Sequence, residues 1–263
     1  MNNIHQTAIV EDGVILGENV TIGAYTIIKN GVSIGDNTSI GSHTLIEGKT
    51  TIGKGNEIFS HSVLGSIPQD LKFNGEDVEL IIGDNNKIRE FTLFNPGTIG
   101  GGAKTVIGSN NLFMGYVHVA HDCIIGNNCI FANCATMAGH VEIDDFAVVG
   151  GLSAIHQFCK IGNSAMLGGG SIVVQDIPPF CVSEGNRATL RGLNINGLRR
   201  RMENRSDIDE IKKAYKKLFD SNLPMQDVAK ELLESSGNKY VLMLAKFVSN
   251  TTRGIPVQGK NNK

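Results

Sequence analysis

The chain has no tryptophan, only 6% aromatic residues, 6 prolines in 263 residues, and 5 cysteines. No apolar run approaches the roughly 20 residues of a membrane span. The opening Met1-Asn2-Asn3-Ile4-His5-Gln6 lacks the basic and then apolar pattern of a signal peptide, so a cytoplasmic protein is expected. The cysteines (Cys123, Cys129, Cys134, Cys159, Cys181) are odd in number and include no Cys-x-x-Cys. A disulfide framework or cysteine-rich zinc site is therefore not expected, and the thiols should be reduced and mostly buried. No nucleotide loop of the type Gly-x-x-x-x-Gly-Lys-Ser/Thr occurs, since Gly100-Gly101-Gly102-Ala103-Lys104-Thr105 has the wrong spacing. Scarce aromatics on an acidic main body also speak against nucleic acid as a partner.

Glycine is what the chain has in plenty: 32 residues, about 12% against an average near 7%. With little proline and no Gly-X-Y period, this composition fits neither collagen nor disorder but an ordered fold with many tight turns. Charge is divided along the chain. Residues 1–186 carry 8 Lys+Arg and 18 Asp+Glu, a balance of −10, whereas residues 187–263 carry 16 and 8, a balance of +8. A domain boundary near residue 186 is expected, with a basic second part suited to an acidic partner or simply solvated.

A six-residue repeat organises the first part. Ile4, Val10, Leu16, Ile22, Ile28, Ile34, Ile40, Ile46, Ile52, Ile58 and Leu64 fall every six residues, and a second series runs from Ile107 through Phe113 and Val119 to Val173. A helix buries residues at a period of 3.6 and a half-buried strand at 2, so neither fits over this length. A short strand and a turn, repeated, does. Three hexads make one triangular coil of 18 residues, and stacked coils form a parallel β-helix, roughly nine coils and on the order of 45 Å long. The pattern breaks twice: a loop is expected from Ser66 to Glu79, and the spacing from Phe94 to Ile107 is 13, one residue beyond two hexads. After Pro178-Pro179 the period becomes helical. Ser206 is expected to cap a helix from Asp207 to Ser221, followed by helices near Met225–Ser235 and Lys239–Asn250.

The 18-residue period turns spacing into geometry. His121, Gly139 and Gln157 share one column and Asp122, His140 and Phe158 another, with His118 and His156 close by, so four histidines crowd one edge. One chemistry is general base catalysis, with His121 accepting a proton and Asp122 fixing its tautomer. On that reading Asp122→Asn should cost less than His121→Ala. Gly139 could offer a backbone N–H to a developing oxyanion, or serve only as a turn residue. A rival chemistry is a zinc site of carbonic anhydrase type, built from His118, His121 and His140 or His156. Arg199-Arg200-Arg201 is either a phosphate-gripping run or a solvated helix start.

Five motifs occur in order: Gln69-Asp70-Leu71-Lys72, His118-Val119-Ala120-His121-Asp122-Cys123, Ala138-Gly139-His140, Ala154-Ile155-His156-Gln157-Phe158-Cys159 and Gly197-Leu198-Arg199-Arg200-Arg201. Together they resemble the UDP-N-acetylglucosamine O-acyltransferase family of hexapeptide-repeat proteins. That resemblance implies an all-β left-handed parallel β-helix over 1–186 and a small α-helical C-terminal domain over 187–263. It implies a homotrimer that moves a 3-hydroxyacyl group from acyl carrier protein to the 3-position of UDP-N-acetylglucosamine, or of its 3-amino analogue, as the first step of lipid A synthesis, with no metal or other cofactor. It further implies catalysis by His121, Asp122 and Gly139, with Gln69, Asp70, Lys72, His118, His140, His156 and Gln157 on the substrate. Asn194, Arg200 and Arg201 would hold the nucleotide end, and Met166 and Gly169 would border the acyl groove. This chain departs from the family pattern at Asn95, in Asn95-Pro96-Gly97-Thr98 where many members have His-Arg-Gly-Thr, at Asn196 in place of Glu and at Arg187 in place of His. Two other readings are an acetyl-CoA-dependent hexapeptide acetyltransferase and a non-catalytic β-helix binding module.

Overall fold

The structure, a computed structural model, describes residues 1–257. Short strands, most of two residues, stack into three sheets of eleven, nine and eight strands. Their partners lie 18 residues apart wherever the repeat is unbroken: Asn3–Ile4 pairs with Thr21–Ile22, which pairs with Ser39–Ile40. The three sheets close a left-handed parallel β-helix, and a small helical region follows it.

The hexad residues are the core. Ile22, Ile28, Ile34, Ile46, Ile52 and Leu64 are almost fully buried, as are Phe94, Phe113 and Phe131, of which Phe94 meets Phe113 edge-on and Phe113 stacks on Phe131. Ile4, expected inside, is exposed because no coil covers the first one. At most corners the second turn residue is left-handed, and on one corner Asp122, His140 and Phe158 take φ of 60°, 62° and 65°. That shared geometry points successive side chains the same way.

The segment from Ser66 leaves the prism and the chain rejoins it at the strand Glu79–Ile82. The 13-residue spacing is absorbed by a short 3₁₀ turn, Ile99–Gly101. Past the last hexads, Cys181–Glu184 adds in parallel to the first sheet and Thr189–Leu193 returns antiparallel beside it.

Four helices follow: α1 (Ile195–Arg201), α2 (Arg205–Tyr215), continued by a π turn at Lys216–Asp220, α3 (Met225–Ser235) and α4 (Lys239–Ser249). α2, α3 and α4 bury Ile208, Ile211, Val228, Val241, Leu244 and Val248 against one another and the prism end. Two expectations are corrected here. Ser206 is not the cap: α2 starts at Arg205 after an extended Asn204 that makes no side-chain cap bond, so burial of Ile208 and Ile211 holds this helix. Arg199-Arg200-Arg201 is not a helix start but the last turn of α1, where cations face the negative end of the helix dipole. Buried Asp176 ties the segment after α4 to the last coil, accepting from Thr251 Oγ1 at 2.6 Å and Lys160 N (through Oδ1) at 2.8 Å. Among the described residues no helix is long and apolar enough to cross a membrane.

Candidate active site

The corner between the second and third sheets places His121 and Asp122 on one turn. His121 Nδ1 donates to Asp122 Oδ2 at 2.8 Å, which leaves Nε2 as the free lone pair. Asp122 is buried and holds two further bonds, from Thr98 N–H to Oδ1 at 2.8 Å and from Thr98 Oγ1 to Oδ2 at 2.6 Å. One coil on, a Cβ at Gly139 would stand 2.5 Å from His121 Cε1 and 2.7 Å from Nε2, so only glycine lets the imidazole lie there. At the equivalent turn position of another corner the N–H groups of Glu18, Lys54 and Asn127 donate to Asp36, Asp84 and Asp145. Gly139 N–H has no such partner among the described residues. His140 lies edge-on to His121 at 5.1 Å and stacks on Phe158 at 4.4 Å.

A cavity of about 290 Å³ opens beside these rings, lined by Asp70, Lys72, Phe73, Glu76, Thr98, Ile99, Gly100, His140 and Phe158. The looped-out segment supplies one wall, and Asp70 Oδ1 shapes it by accepting from Lys72 N at 3.0 Å. Asn95 holds the base of that loop, donating Nδ2 to Ser66 O at 2.9 Å and Ile67 O at 3.1 Å. Gln69 is exposed on the same loop. Of the four histidines expected together, His121 and His140 meet. His118 turns its Nδ1 to Leu93 O at 3.0 Å, while His156 is exposed beside Gln157 with its Nδ1 at 3.1 Å from Gln157 O. The three-imidazole zinc set is therefore not assembled. Among the described residues the three groups that could share an ion are His121, Asp122 and His140, and Thr98 and His121 already occupy Asp122.

Burial pushes the imidazoles of His118 and His140 below the ordinary histidine value, outweighing the raising effects of Leu93 O and of the Asp122 charge. The unfolded chain thus takes up these protons at higher pH than the folded one. Their contribution to stability is complete above the ordinary value near 6.5 and is lost as pH falls through it toward the lowered folded values. The melting temperature, followed by circular dichroism, should drop between about pH 7.5 and 5.5, and His118→Gln should shrink that drop. Burial also pushes the thiols of Cys123 and Cys129 up to about 12 and that of Cys159 to about 11, so none of the three is a thiolate near neutrality. All five cysteines are free.

The remaining expected residues gather elsewhere. Met166, Asn194, Arg200 and Arg201 line a second cavity of about 500 Å³ on the first sheet, together with Ile130, Val148 and α1. Gly169 is exposed on the turn after Met166 and has room for a side chain. Asn194 caps α1, its Oδ1 accepting from Gly197 N at 3.0 Å and its Nδ2 donating to Ser164 O at 3.1 Å. Arg201 is drawn onto the prism, donating to Phe146 O at 3.1 Å and Ser164 Oγ at 2.9 Å and stacking over the Phe146 ring.

A left-handed β-helix carrying an oriented histidine fits several transferases, and comparison with known proteins decides among them. Residues 176–256 match the second domain of UDP-N-acetylglucosamine O-acyltransferase, and residues 13–48 and 104–139 match the bacterial transferase hexapeptide of six repeats. The chain is 73% identical over 260 residues to the acyl-[acyl-carrier-protein]–UDP-N-acetylglucosamine O-acyltransferase of Aliarcobacter butzleri, covering 99% of this chain and all of that one. The chain belongs to the UDP-N-acetylglucosamine O-acyltransferase family. Solved structures agree. The Campylobacter jejuni UDP-N-acetylglucosamine acyltransferase superposes with a TM-score of 0.93 at 45% identity over 97% of this chain and 99% of that one. The Francisella novicida enzyme gives 0.94 at 33% identity, over 98% and 95%. The protein is thus an acyltransferase of the first step of lipid A synthesis.

Sequence reading missed Thr98, Phe73, Glu76 and Ile99 at this corner and its cavity. All four lie in the two interruptions of the repeat, which were the one signal that could have marked them.

Proposed function

We propose that His121 is the general base of transfer from 3-hydroxyacyl acyl carrier protein to the sugar of UDP-N-acetylglucosamine. The observation that carries this reading is the 2.8 Å bond from His121 Nδ1 to buried Asp122, which leaves Nε2 free beside a Gly139 N–H without a partner among the described residues. Nε2 takes the proton of the sugar's 3-hydroxyl as its oxygen attacks the thioester carbonyl. The oxyanion accepts from Gly139 N–H, and its collapse expels the phosphopantetheine thiolate, which recovers the proton from the imidazolium. Asp70, Lys72 and His140 line the cavity where the sugar nucleotide would enter, with Gln69, His118, His156 and Gln157 around it. Met166 and Gly169 would border the acyl groove, with Asn194, Arg200 and Arg201 at the nucleotide end. Capping by Asn194 and anchoring of Arg201 fix α1 so that exposed Arg200 is presented to that end. The reaction calls for no metal or other cofactor, since the donor brings its acyl group on acyl carrier protein.

The two cavities sit on different faces of one prism, so a complete site needs another copy of the chain. We propose a homotrimer in the cytoplasm with sites between subunits. An exposed edge supports it: Tyr25, His43, His61, Phe91 and Tyr116 stack at 4.9–5.1 Å, and Leu152 lies on the same corner. The experiment is an assay of both UDP-sugars, the 3-hydroxyl and the 3-amino, with 3-hydroxyacyl carrier proteins of several chain lengths. Acetyl-CoA runs in parallel, and efficient turnover with it alone would sink the carrier-protein reading.

Docking of the acidic carrier protein falls to the basic helical region, in a 187–263 domain whose boundary is part of the same proposal. Within it Lys212, Lys213 and Lys217 are ion-paired to Asp209, Glu210 and Glu231. Arg199, Arg205 and Lys216 beside them have no ion pair among the described residues, so they are among the cations free to steer. Reversing Arg205 and Lys216 to Glu should raise KM for the carrier and spare KM for the UDP-sugar. Raised salt should do the same, because the Debye length, about 8 Å at 0.15 M, shortens further and screens the long-range attraction between exposed charges. Equal changes in both constants would mean a merely solvated face.

A further inference from the structure

We infer that Thr98 is a positioning residue for the acyl transfer, acting through Asp122. Among the described residues it is the only residue besides His121 that hydrogen-bonds the Asp122 carboxylate, and it does so twice, through its backbone N–H to Oδ1 at 2.8 Å and through Oγ1 to Oδ2 at 2.6 Å. The hydroxyl and His121 Nδ1 therefore share one oxygen. With Oδ1 held by a backbone amide and Oδ2 by a hydroxyl, the carboxylate plane cannot rotate, and its remaining direction is the one His121 occupies.

The chain departs from its own repeat to build this clasp. The extra residue between Phe94 and Ile107 makes the 3₁₀ turn Ile99–Gly101, with Thr98 as the extended residue at its start, φ −129° and ψ 156°. Gly101 on that turn comes so close that a Cβ would lie within 2.1–2.4 Å of the Asp122 carboxyl atoms. From the other side Thr105 Oγ1 accepts from Asp122 N at 2.8 Å. Two positions of one irregular segment, Thr98 and Gly101, thus close around a single buried carboxylate, and Thr105 on the strand that follows holds the Asp122 backbone. A plain surface excursion would not bury its first residue, and Thr98 is 8% exposed.

The test is Thr98→Val, which keeps the backbone N–H and suits the extended backbone while losing the hydroxyl, read beside Thr98→Ser. Two readouts are taken. The first is the proton resonance of His121 Nδ1–H in protein labelled with ¹⁵N-histidine, assigned by its absence in His121→Ala. The second is kcat against KM. The resonance should move or vanish in Thr98→Val and stay in Thr98→Ser, with kcat falling about ten- to a hundredfold in Val alone, the ratio carried by one hydrogen bond to a charged group. Both KM values should hold. The effect on rate rests on His121 being the base, but the resonance does not. A moved resonance with unchanged kcat would therefore support the clasp and count against the base. An unchanged resonance in a folded Thr98→Val overturns the inference, as does a loss that Thr98→Ser fails to restore. Should the Val variant not fold, Thr98→Ala against Thr98→Ser gives the same comparison.

Discussion

His121→Ala is expected to lower kcat at least about 10²-fold with the fold and both KM values retained, because general base catalysis contributes about 10² to 10⁴. The side chain packs at the prism surface rather than in the core, so its loss opens no axial cavity. Asp122→Asn, set lower by sequence reasoning, is revised upward by the structure. Thr98 N–H must face the amide oxygen, which turns the amide NH₂ toward His121 Nδ1. An NH₂ there needs an acceptor, so the imidazole proton moves to Nε2 and the lone pair that takes the substrate proton is gone. The two variants should fall by comparable factors, read as kcat under saturating substrates. An Asp122→Asn enzyme within a few-fold of the parent would mean that the tautomer is set elsewhere.

Gly139→Ala should be nearly as damaging. Its φ lies outside the left-handed region, so alanine meets no backbone penalty, yet the new Cβ would press within 2.5 Å of the His121 ring. The ring must shift away from Asp122, and the methyl also crowds the oxyanion position in front of Gly139 N–H. Losing one oxyanion donor alone costs about 10² to 10³ in rate. Gly237→Ala, where a Cβ meets nothing within 4 Å, serves as the control and should leave kcat unchanged. Matching activities of the two variants would remove Gly139 from the site.

The β-helix was legible because its signal is periodic: Ile22 stacks under Ile40 only if every hexad holds register, and the 18-residue period then set His121 beside Gly139. What stayed illegible was irregular. Nothing in Thr98 itself marks it as a partner of a residue 24 positions away, since the contact depends on a turn outside the repeat. α1 was missed because only Leu198 is buried in its seven residues, leaving no apolar period to find. For the same reason Arg199 to Arg201 could be read only as either a phosphate-gripping run or a helix start. His156 lies one residue before the column position of Gln157 and turns its ring to Gln157 O, because nearness in spacing places a backbone and not a rotamer.

That the His121 imidazole removes the substrate proton is best put to the test by supplying the base from solution. Imidazole is added to folded His121→Ala with saturating acyl carrier protein donor and UDP-N-acetylglucosamine. The rate should rise with the concentration of unprotonated imidazole and fall away as the added base is protonated, while the parent enzyme gains nothing. Near-normal turnover by His121→Ala without any added base would contradict the claim.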